Sequence, residues 1–360
     1  MFNFNFQKEH LRIIKRLLSF LTAACFVLFF TSCTLKQTPI SKTGFYFDTI
    51  INITIYDSNS ETDTILSDCM LLCQKYENLF SKTKKDSDIY RINHSLGKET
   101  IVDEETIALL KEAVAFSEKC NGVIDPTVGA LTNLWAIGTD SFTIPREDDI
   151  IFALSTIDYG NIEINPQNNS VKLLNQNTQL DLGFIAKGYI ADRLKKILIE
   201  SGVNSAIINL GGNVLCIGTK DNSKFKVGIK NPKNTSSSPV TVVMLDGNGP
   251  DAGVVSSGNY ERTNTINGIV FHHIFSLKTG LPVGIIKTEN GYCDDSNLAE
   301  VSVISSSSVL GDELSTLCFI LGYDESCKFL KDNYPNIKAI FINKEGKIIG
   351  DFPSGSFSVQ

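Results

Sequence analysis

The chain has 360 residues, 42% of them hydrophobic and 20% charged, which is enough apolar material for one large globular domain or two smaller ones. Its formal charge is −7, and because Lys8, Arg12, Lys15 and Arg16 against Glu9 give the first 32 residues +3, the remainder carries −10. A body this acidic, with no cluster of Lys and Arg, excludes a nucleic-acid-binding surface, which must meet phosphates with cations.

The N-terminus reads as a signal peptide over 1–32: a basic stretch to Arg16, a fourteen-residue apolar run LLSFLTAACFVLFF (17–30), then Thr31 and Ser32 before Cys33. Such a run is short for a membrane-spanning helix but suits the core of an export signal. Phe-Thr-Ser-Cys at 30–33 resembles a bacterial lipobox, so Cys33 is expected to be lipidated and to anchor the exported protein to the extracytoplasmic face of the cell membrane. An uncleaved anchor with Cys33 as an incidental thiol is the alternative. Residues 33–44 then form a polar tether, and 45–360 the catalytic domain. The seven cysteines beyond Cys33 are odd in number and sit mostly in apolar patterns; they read as buried thiols.

Residues 45–56 alternate at Ile51, Ile53 and Ile55 and predict a strand. Helices follow at 61–80, with Ile65, Cys69, Leu72, Cys73, Tyr76 and Phe80 on one side, and at 104–120, ended by Asn121-Gly122. A short helix is expected at 127–135 and a hairpin-like pair at 157–174. Apolar spacing predicts a helix over 185–200, stopped by Ser201-Gly202. Strands are placed at 205–210, 213–218, 224–230, 240–246, 253–257, 269–276 and 300–305, helices at 308–321 and 325–333, and a final pair near 337–350. Strands and helices come in blocks, so the fold class is α+β: mixed and antiparallel sheets with packed helices in one large domain.

Three stretches carry chemistry. In GDELSTLCFILG (311–322), Asp312 and Thr316 are one helical turn apart and offer two hard oxygen ligands on one face, a set suited to Mg2+ and not to zinc. A helix-dipole aspartate with a core-facing threonine explains the same spacing. In LDLGFIAKGYIADRL (180–194), a glycine before a helix start, with Lys187 one turn inside, offers free N–H groups and an ammonium to a phosphate; an ordinary helix start with a solvated lysine is the alternative. It is neither a Walker A loop nor a GxGxxG fingerprint. In FHHIFSLKTGLP (271–282), His272 and His273 end a strand beside a turn, where one of them can act as general base; a structural pair is the simpler alternative. The glycine turns NLGGN (209–213) and SSGNYER (256–262) permit close backbone approach.

Taken in order, DPTVGALTNLW (125–135), LDLGFIAKGYIADRL, AIINLGGNVLCIG (206–218), VVSSGNYER (254–262), HHIFSLKTGLP and GDELSTLCFILG resemble the ApbE family of FAD:protein FMN transferases across most of 45–355. The resemblance implies that Asp312, Thr316 and the carbonyl of Phe184 hold Mg2+. It also implies that Phe47 in the first strand, Asp125, Asp181, Lys187 and the backbone at Phe275 contact FAD, a substrate here, and that His273 is the base, with His272 the alternative. The implied reaction moves FMN onto a Thr or Ser of a membrane-associated redox subunit and releases AMP. The same residues also fit an FAD pyrophosphatase or a non-catalytic flavin-binding lipoprotein. The chain departs from the family pattern at Ser276-Leu277, where Asp-Pro is usual, at Phe184, usually small, and at Asn259, commonly Asp.

Overall fold

The computed structural model describes residues 38–234 and 238–350; the signal segment, Cys33 and the first residues of the expected tether lie outside that range. The chain begins with β1 (Ile40–Tyr46), β2 (Thr49–Ile55), α1 (Thr62–Phe80), α2 (Asp88–Asn93), β3 (Thr100–Ile101), α3 (Glu104–Lys119), α4 (Gly129–Trp135) and α5 (Glu147–Leu154). It continues through β4 (Ile162–Asn165), β5 (Ser170–Leu173), α6 (Ala186–Glu200), β6 (Ala206–Leu210), β7 (Asn213–Ile217), β8 (Phe225–Ile229), β9 (Thr241–Leu245) and β10 (Gly253–Gly258). It ends with β11 (Thr263–Ile266), β12 (Ile269–His272), β13 (Ile285–Thr288), β14 (Gly291–Asp294), β15 (Leu298–Ser305), α7 (Ser308–Asn333), β16 (Lys338–Asn343) and β17 (Ile348–Ile349).

Eight strands form one sheet in the order β1-β2-β6-β7-β10-β15-β16-β17. Every neighbouring pair in it is antiparallel, and the helices pack against it in the α+β arrangement that the block-wise order of elements implies. Alternation does the sorting: Ile51, Ile53 and Ile55 of β2 face inward with Ile208 and Leu210 of β6, and meet Leu66, Cys69 and Cys73 of α1. Ile190, Leu194 and Leu198 of α6 and Leu314, Leu317 and Cys318 of α7 complete this core. Each such side chain contributes about 1.5–3 kcal/mol by leaving water. The opposite face of the sheet is covered by the β8–β9 hairpin through Phe225, Val243 and Leu245 against Cys216, Val254 and Ile304.

A third apolar cluster joins α4, α5 and the small strands β11 to β14 around Trp135, Phe271, Phe275 and Ile285. Trp135 stacks on Phe271 at 5.8 Å and donates its indole N–H to the Gly280 carbonyl at 2.9 Å. That bond ties the 273–281 segment to α4, which matters for the site below.

Three expectations need correction. Residues 40–44, assigned to the tether, already pair in β1, because Ile40 finds Ile55 across the ladder. The predicted strand over 45–56 is the end of β1, a two-residue turn and β2. Phe47 therefore lies in that turn, not in a strand. The two helices expected at 308–321 and 325–333 are both present; they run on from one another as α7 and are parted at Gly322, whose φ of 76 and ψ of −178 are not helical. Of the cysteines, Cys69, Cys73, Cys120, Cys216 and Cys318 are buried free thiols, Cys293 is half-buried and Cys327 exposed.

Candidate functional site

The site begins where α6 meets α7. Gly188, in the first turn of α6, packs so tightly that a Cβ there would lie 2.3 Å from the Ser308 carbonyl oxygen. Its backbone is ordinary helix, so the glycine serves space and not a left-handed conformation. The close approach lets the Gly188 N–H donate to Asp312 Oδ2 at 2.9 Å. Gly188 is in the first turn of α6, where N–H groups have no acceptor within the helix, and Asp312 supplies one. Two residues before the helix stands the Phe184 carbonyl. Among the described residues, that carbonyl receives no hydrogen bond. A carbonyl without a donor, in a buried residue close along the chain to the Gly188–Asp312 bond, suits a hard cation as a ligand.

Asp312 is 2% exposed. Burial pushes its pKa up, while Lys187, the Gly188 N–H and the Asn213 amide pull it back and Glu261 adds to the rise. Thr316 follows one turn later on α7, and its hydroxyl sits 3.2 Å from Ser257 Oγ, which also meets Ser315 Oγ at 2.8 Å. The two predicted side-chain ligands thus share one face of an unbroken helical stretch. The donor set is all oxygen: one carboxylate, one hydroxyl and one carbonyl. Mg2+ accepts such a set and completes its shell with water and phosphate. The residues fit the ion. No group of three or more His, Cys, Asp or Glu is gathered for a metal among the described residues, so nothing competes for a softer ion.

Lys187 lies one residue before Gly188 and points its ammonium to Asn213 Oδ1 at 3.3 Å. Asn213 starts β7 after the turn Gly211-Gly212, where both glycines have positive φ and a Cβ on Gly211 would strike Thr49 Oγ1 at 2.0 Å. The double glycine thereby brings the β6–β7 turn against the β1–β2 turn. His273 Nδ1 is a buried polar atom without a hydrogen-bond partner among the described residues, and the ring lies within the field of Lys187. Unsatisfied buried polar atoms are uncommon in folded chains. The backbone N–H of Lys187 also lacks an acceptor among the described residues, as a helix start with anion-binding capacity should.

The two histidines separate cleanly. His272 uses both ring nitrogens, Nε2 donating to the Val283 carbonyl at 2.9 Å and Nδ1 accepting from Ile274 N–H at 3.3 Å, with Phe319 edge-on at 5.6 Å. Burial lowers its pKa to about 4. It is a core histidine. His273 stands just past the end of β12, and its pKa falls to about 3 through burial first, then the charges of Arg262, His272 and Lys187. It is neutral near pH 7, and its buried Nδ1 has no hydrogen-bond partner among the described residues.

Phe47 and Asp48 form the turn of the β1–β2 hairpin with φ of 54 and 57. Both residues are left-handed, which costs about 1–2 kcal/mol each for a side chain larger than glycine. The turn is held from two sides: Phe47 N–H donates to Glu77 Oε1 at 2.8 Å, and its carbonyl accepts from Arg262 Nη2 at 3.2 Å. Strain so fixed is a mark of a functional position. The Phe275 side chain is buried in the Trp135 cluster. Its main chain sits between the bonds Ser276 N–H to Leu281 and Val283 N–H to Ile274, so its own N–H and carbonyl point away from that ladder.

The remaining predicted contacts are engaged within the chain. Asp125 Oδ1 accepts from Thr127 N–H at 2.8 Å and from its hydroxyl at 2.6 Å, while Oδ2 accepts from Tyr159 N–H at 2.8 Å. Asp181 Oδ2 takes an ion pair from Lys82 at 2.8 Å and the Thr132 hydroxyl at 2.8 Å, and Oδ1 takes Gly183 N–H at 3.0 Å. Burial works to raise the Asp181 pKa, but Lys82 and these hydrogen bonds win and bring it to about 2. Both carboxylates hold the backbone that flanks the site. Sequence reasoning missed Lys82, Glu77, Asn213 and Arg262. Asn213 and Arg262 end two motifs already singled out for their glycines; Lys82 and Glu77 carry no local signal.

Residues 47–341 match the ApbE family. Among curated proteins, the chain is 30% identical over 325 residues to an FAD:protein FMN transferase of Treponema pallidum (strain Nichols), covering 86% of this chain and 85% of that one. It is 32% identical over 295 residues to an FAD:protein FMN transferase of Klebsiella pneumoniae (strain 342), covering 82% and 87%. Among solved structures, the ApbE protein of Thermotoga maritima superposes with a TM-score of 0.76 at 28% identity, over 87% of this chain and 96% of that one. The flavin transferase ApbE of Vibrio cholerae superposes at 0.73 with 22% identity, over 89% and 98%.

Proposed function

The chain belongs to the ApbE family, and from that premise we propose that it is a Mg2+-dependent transferase that moves FMN from FAD to a Thr or Ser hydroxyl of an acceptor protein and releases AMP. One observation supports the reading: Asp312 of α7 accepts the Gly188 N–H at the start of α6, next to Lys187 and close to a Phe184 carbonyl without a donor two residues before that helix, and a neutral His273 lies within the field of Lys187. FAD enters as substrate. Its diphosphate faces Lys187 and the free N–H at the start of α6, and the Phe47 turn and the Phe275 main chain line the nucleotide. Asp125 and Asp181 contribute through the backbone they hold, since a carboxylate aimed directly at a diphosphate would set like charges together. Asp312, Thr316 and the Phe184 carbonyl would hold Mg2+, which when bound supplies positive charge against phosphate oxygens.

The acceptor hydroxyl oxygen bonds to the FMN-side phosphorus, the bond from that phosphorus to the bridging oxygen breaks, and AMP leaves with the bonding pair. His273 takes the hydroxyl proton through Nδ1. Its low pKa in the free protein keeps it unprotonated, and the arriving anionic diphosphate offsets the field of Lys187 and Arg262 and makes the ring more basic. No electron or hydride moves. The domain acts outside the cytoplasm, tethered through lipidated Cys33; incorporation of labelled palmitate into the full chain checks the anchor.

The test is incubation with FAD, Mg2+ and solubilised membranes of the parent cell as acceptor source. A flavin-fluorescent protein band on a denaturing gel, lost with Asp312→Ala, is the expected outcome. FMN release at one rate with or without acceptor would convert the reading to a pyrophosphatase. FAD left intact for hours would make the chain a flavin-binding lipoprotein.

A further inference from the structure

Helices α6 and α7 exchange carboxylates at their N-termini. The residue before α6, Ile185, has no side chain able to cap, and the N–H of Gly188 in the first turn is satisfied by Asp312 from α7. At the start of α7 the converse holds. Asp192, one turn further along α6 from Gly188, accepts Ser308 N–H on Oδ1 at 2.9 Å, and Val309 N–H at 3.1 Å and the Ser307 hydroxyl at 2.8 Å on Oδ2. Ser307 Oγ in turn accepts from Leu310 N–H at 3.3 Å. Helix starts leave four N–H groups without partners, and a carboxylate there also meets the positive end of the dipole. Asp192 therefore closes the first turn of α7 from outside the helix.

The two contacts lie a turn apart on α6. The Gly188–Ser308 approach sets the separation of the helices, and Asp192 sets the rotation of α7 about its own axis. Asp312 and Thr316 follow the capped turn directly, while the Phe184 carbonyl precedes the start of α6. Convergence of the three depends on both contacts. We propose that Asp192 is a positioning residue of the cation site: it touches neither cation nor nucleotide, but fixes α7 against α6 so that Asp312 and Thr316 stay in register with the Phe184 carbonyl. The inference rests on the reading of those three as the Mg2+ ligands.

The experiment compares Asp192→Ala and Asp192→Asn with the wild-type protein by two readouts. One is Mn2+ affinity by electron paramagnetic resonance with ADP present as a diphosphate; the other is the Mg2+ midpoint of FMN transfer. Val243→Ala, a cavity in the cluster on the opposite face of the sheet, supplies a comparable loss of thermal stability. Asp192→Ala is expected to weaken Mn2+ binding and raise the Mg2+ midpoint about 10-fold or more, the usual range when the support of a metal ligand is removed. Nucleotide affinity in EDTA should stay within about twofold, since no nucleotide contact is lost. Asp192→Asn retains one acceptor oxygen and should fall between; it carries the test if the alanine variant does not fold. An unchanged cation midpoint in the Asp192 variants, or an equal shift in Val243→Ala, overturns the proposal. Wild-type turnover indifferent to Mg2+ would instead sink the ligand assignment itself.

Discussion

Substituting Gly188 by alanine places a methyl group where α6 and α7 touch. The new Cβ would stand 2.3 Å from Ser308 O, 2.7 Å from Ser308 C and 2.7 Å from Val309 Cα, all backbone atoms that cannot rotate away. Comfortable contact needs about 3.5 Å, so α7 must retreat by about 1 Å. Alanine gains about 1 kcal/mol of helix propensity over glycine, against about 1–3 kcal/mol for overpacking, so the net loss of stability is at most about 2 kcal/mol. The site fares worse. The retreat lengthens the Gly188–Asp312 bond and draws Asp312 and Thr316 off the Phe184 carbonyl, and a 1 Å misplacement at a reacting centre costs about 100-fold. The assay is FMN transfer against Mg2+ concentration, beside a thermal melt. A small change in Tm with a turnover loss of about 100-fold and a raised Mg2+ midpoint is expected. A Gly188→Ala protein with wild-type turnover, Mg2+ midpoint and a raised Tm would refute the claim that helix separation sets the cation site.

His273→Ala should lower turnover by about 10²- to 10⁴-fold while FAD affinity, read from flavin fluorescence, stays near normal; equal activity would shift proton removal to the acceptor's own surroundings. Arg262→Gln removes the largest single charge acting on His273, so the acid limb of the pH–rate profile should move to higher pH, and an unmoved limb would exclude His273 as its source. His272 predicts acid lability: its folded pKa of about 4 lies below the unfolded value, so the unfolded chain binds the extra proton and stability falls as pH drops from about 6.5 to about 4. The loss attributable to it is up to about 3 kcal/mol at 1.36 kcal/mol per unit. Asp181, with a pKa of about 2, gives up its stabilisation only below about pH 4, outside that window. Urea titrations at pH 7 and 4.5 on the wild type and His272→Gln check this; parallel losses in both proteins would assign the lability elsewhere.

Where one face of an element is buried, its pattern is legible in the chain. The run Ile51, Ile53, Ile55 announces β2, and Ile190, Leu194, Leu198 announce α6, because each set faces a core with the period of its own element. The hairpin turn was not legible, since type I′ turns favour Asn-Gly and this one is Phe-Asp, stabilised by Glu77 and Arg262 from far along the chain. Helix α5 was missed because its apolar residues split between faces: Ile150 is buried while Ile151 and Phe152 are exposed, so no stripe forms. Gly322 reads as a helix stop and is one: its backbone leaves the helical region, and the Ser326 hydroxyl of the second helical stretch bonds the Cys318 carbonyl at 3.0 Å across the bend.

The site divides along the same line. Asp312 and Thr316 were legible because a helix fixes what four residues' separation means. Nothing local says which backbone comes against them, and that follows only when Asp312 accepts the Gly188 N–H, 124 residues away. Lys82 meets Asp181 across a similar distance in sequence, and Arg262 reaches Phe47 over 215 residues. Each of these long-range bonds orients a backbone segment and leaves no compositional trace, since one lysine or arginine on a surface resembles any other. Ser276-Leu277, where the family usually has Asp-Pro, shows the consequence. The turn they occupy is set by Ser276 N–H to Leu281, Gly280 N–H to Ser276 and the Trp135 bond to Gly280, all compatible with the altered pair. The geometry beside His273 therefore rests on backbone bonds and one indole, and a missing carboxylate there removes a charge without removing the turn.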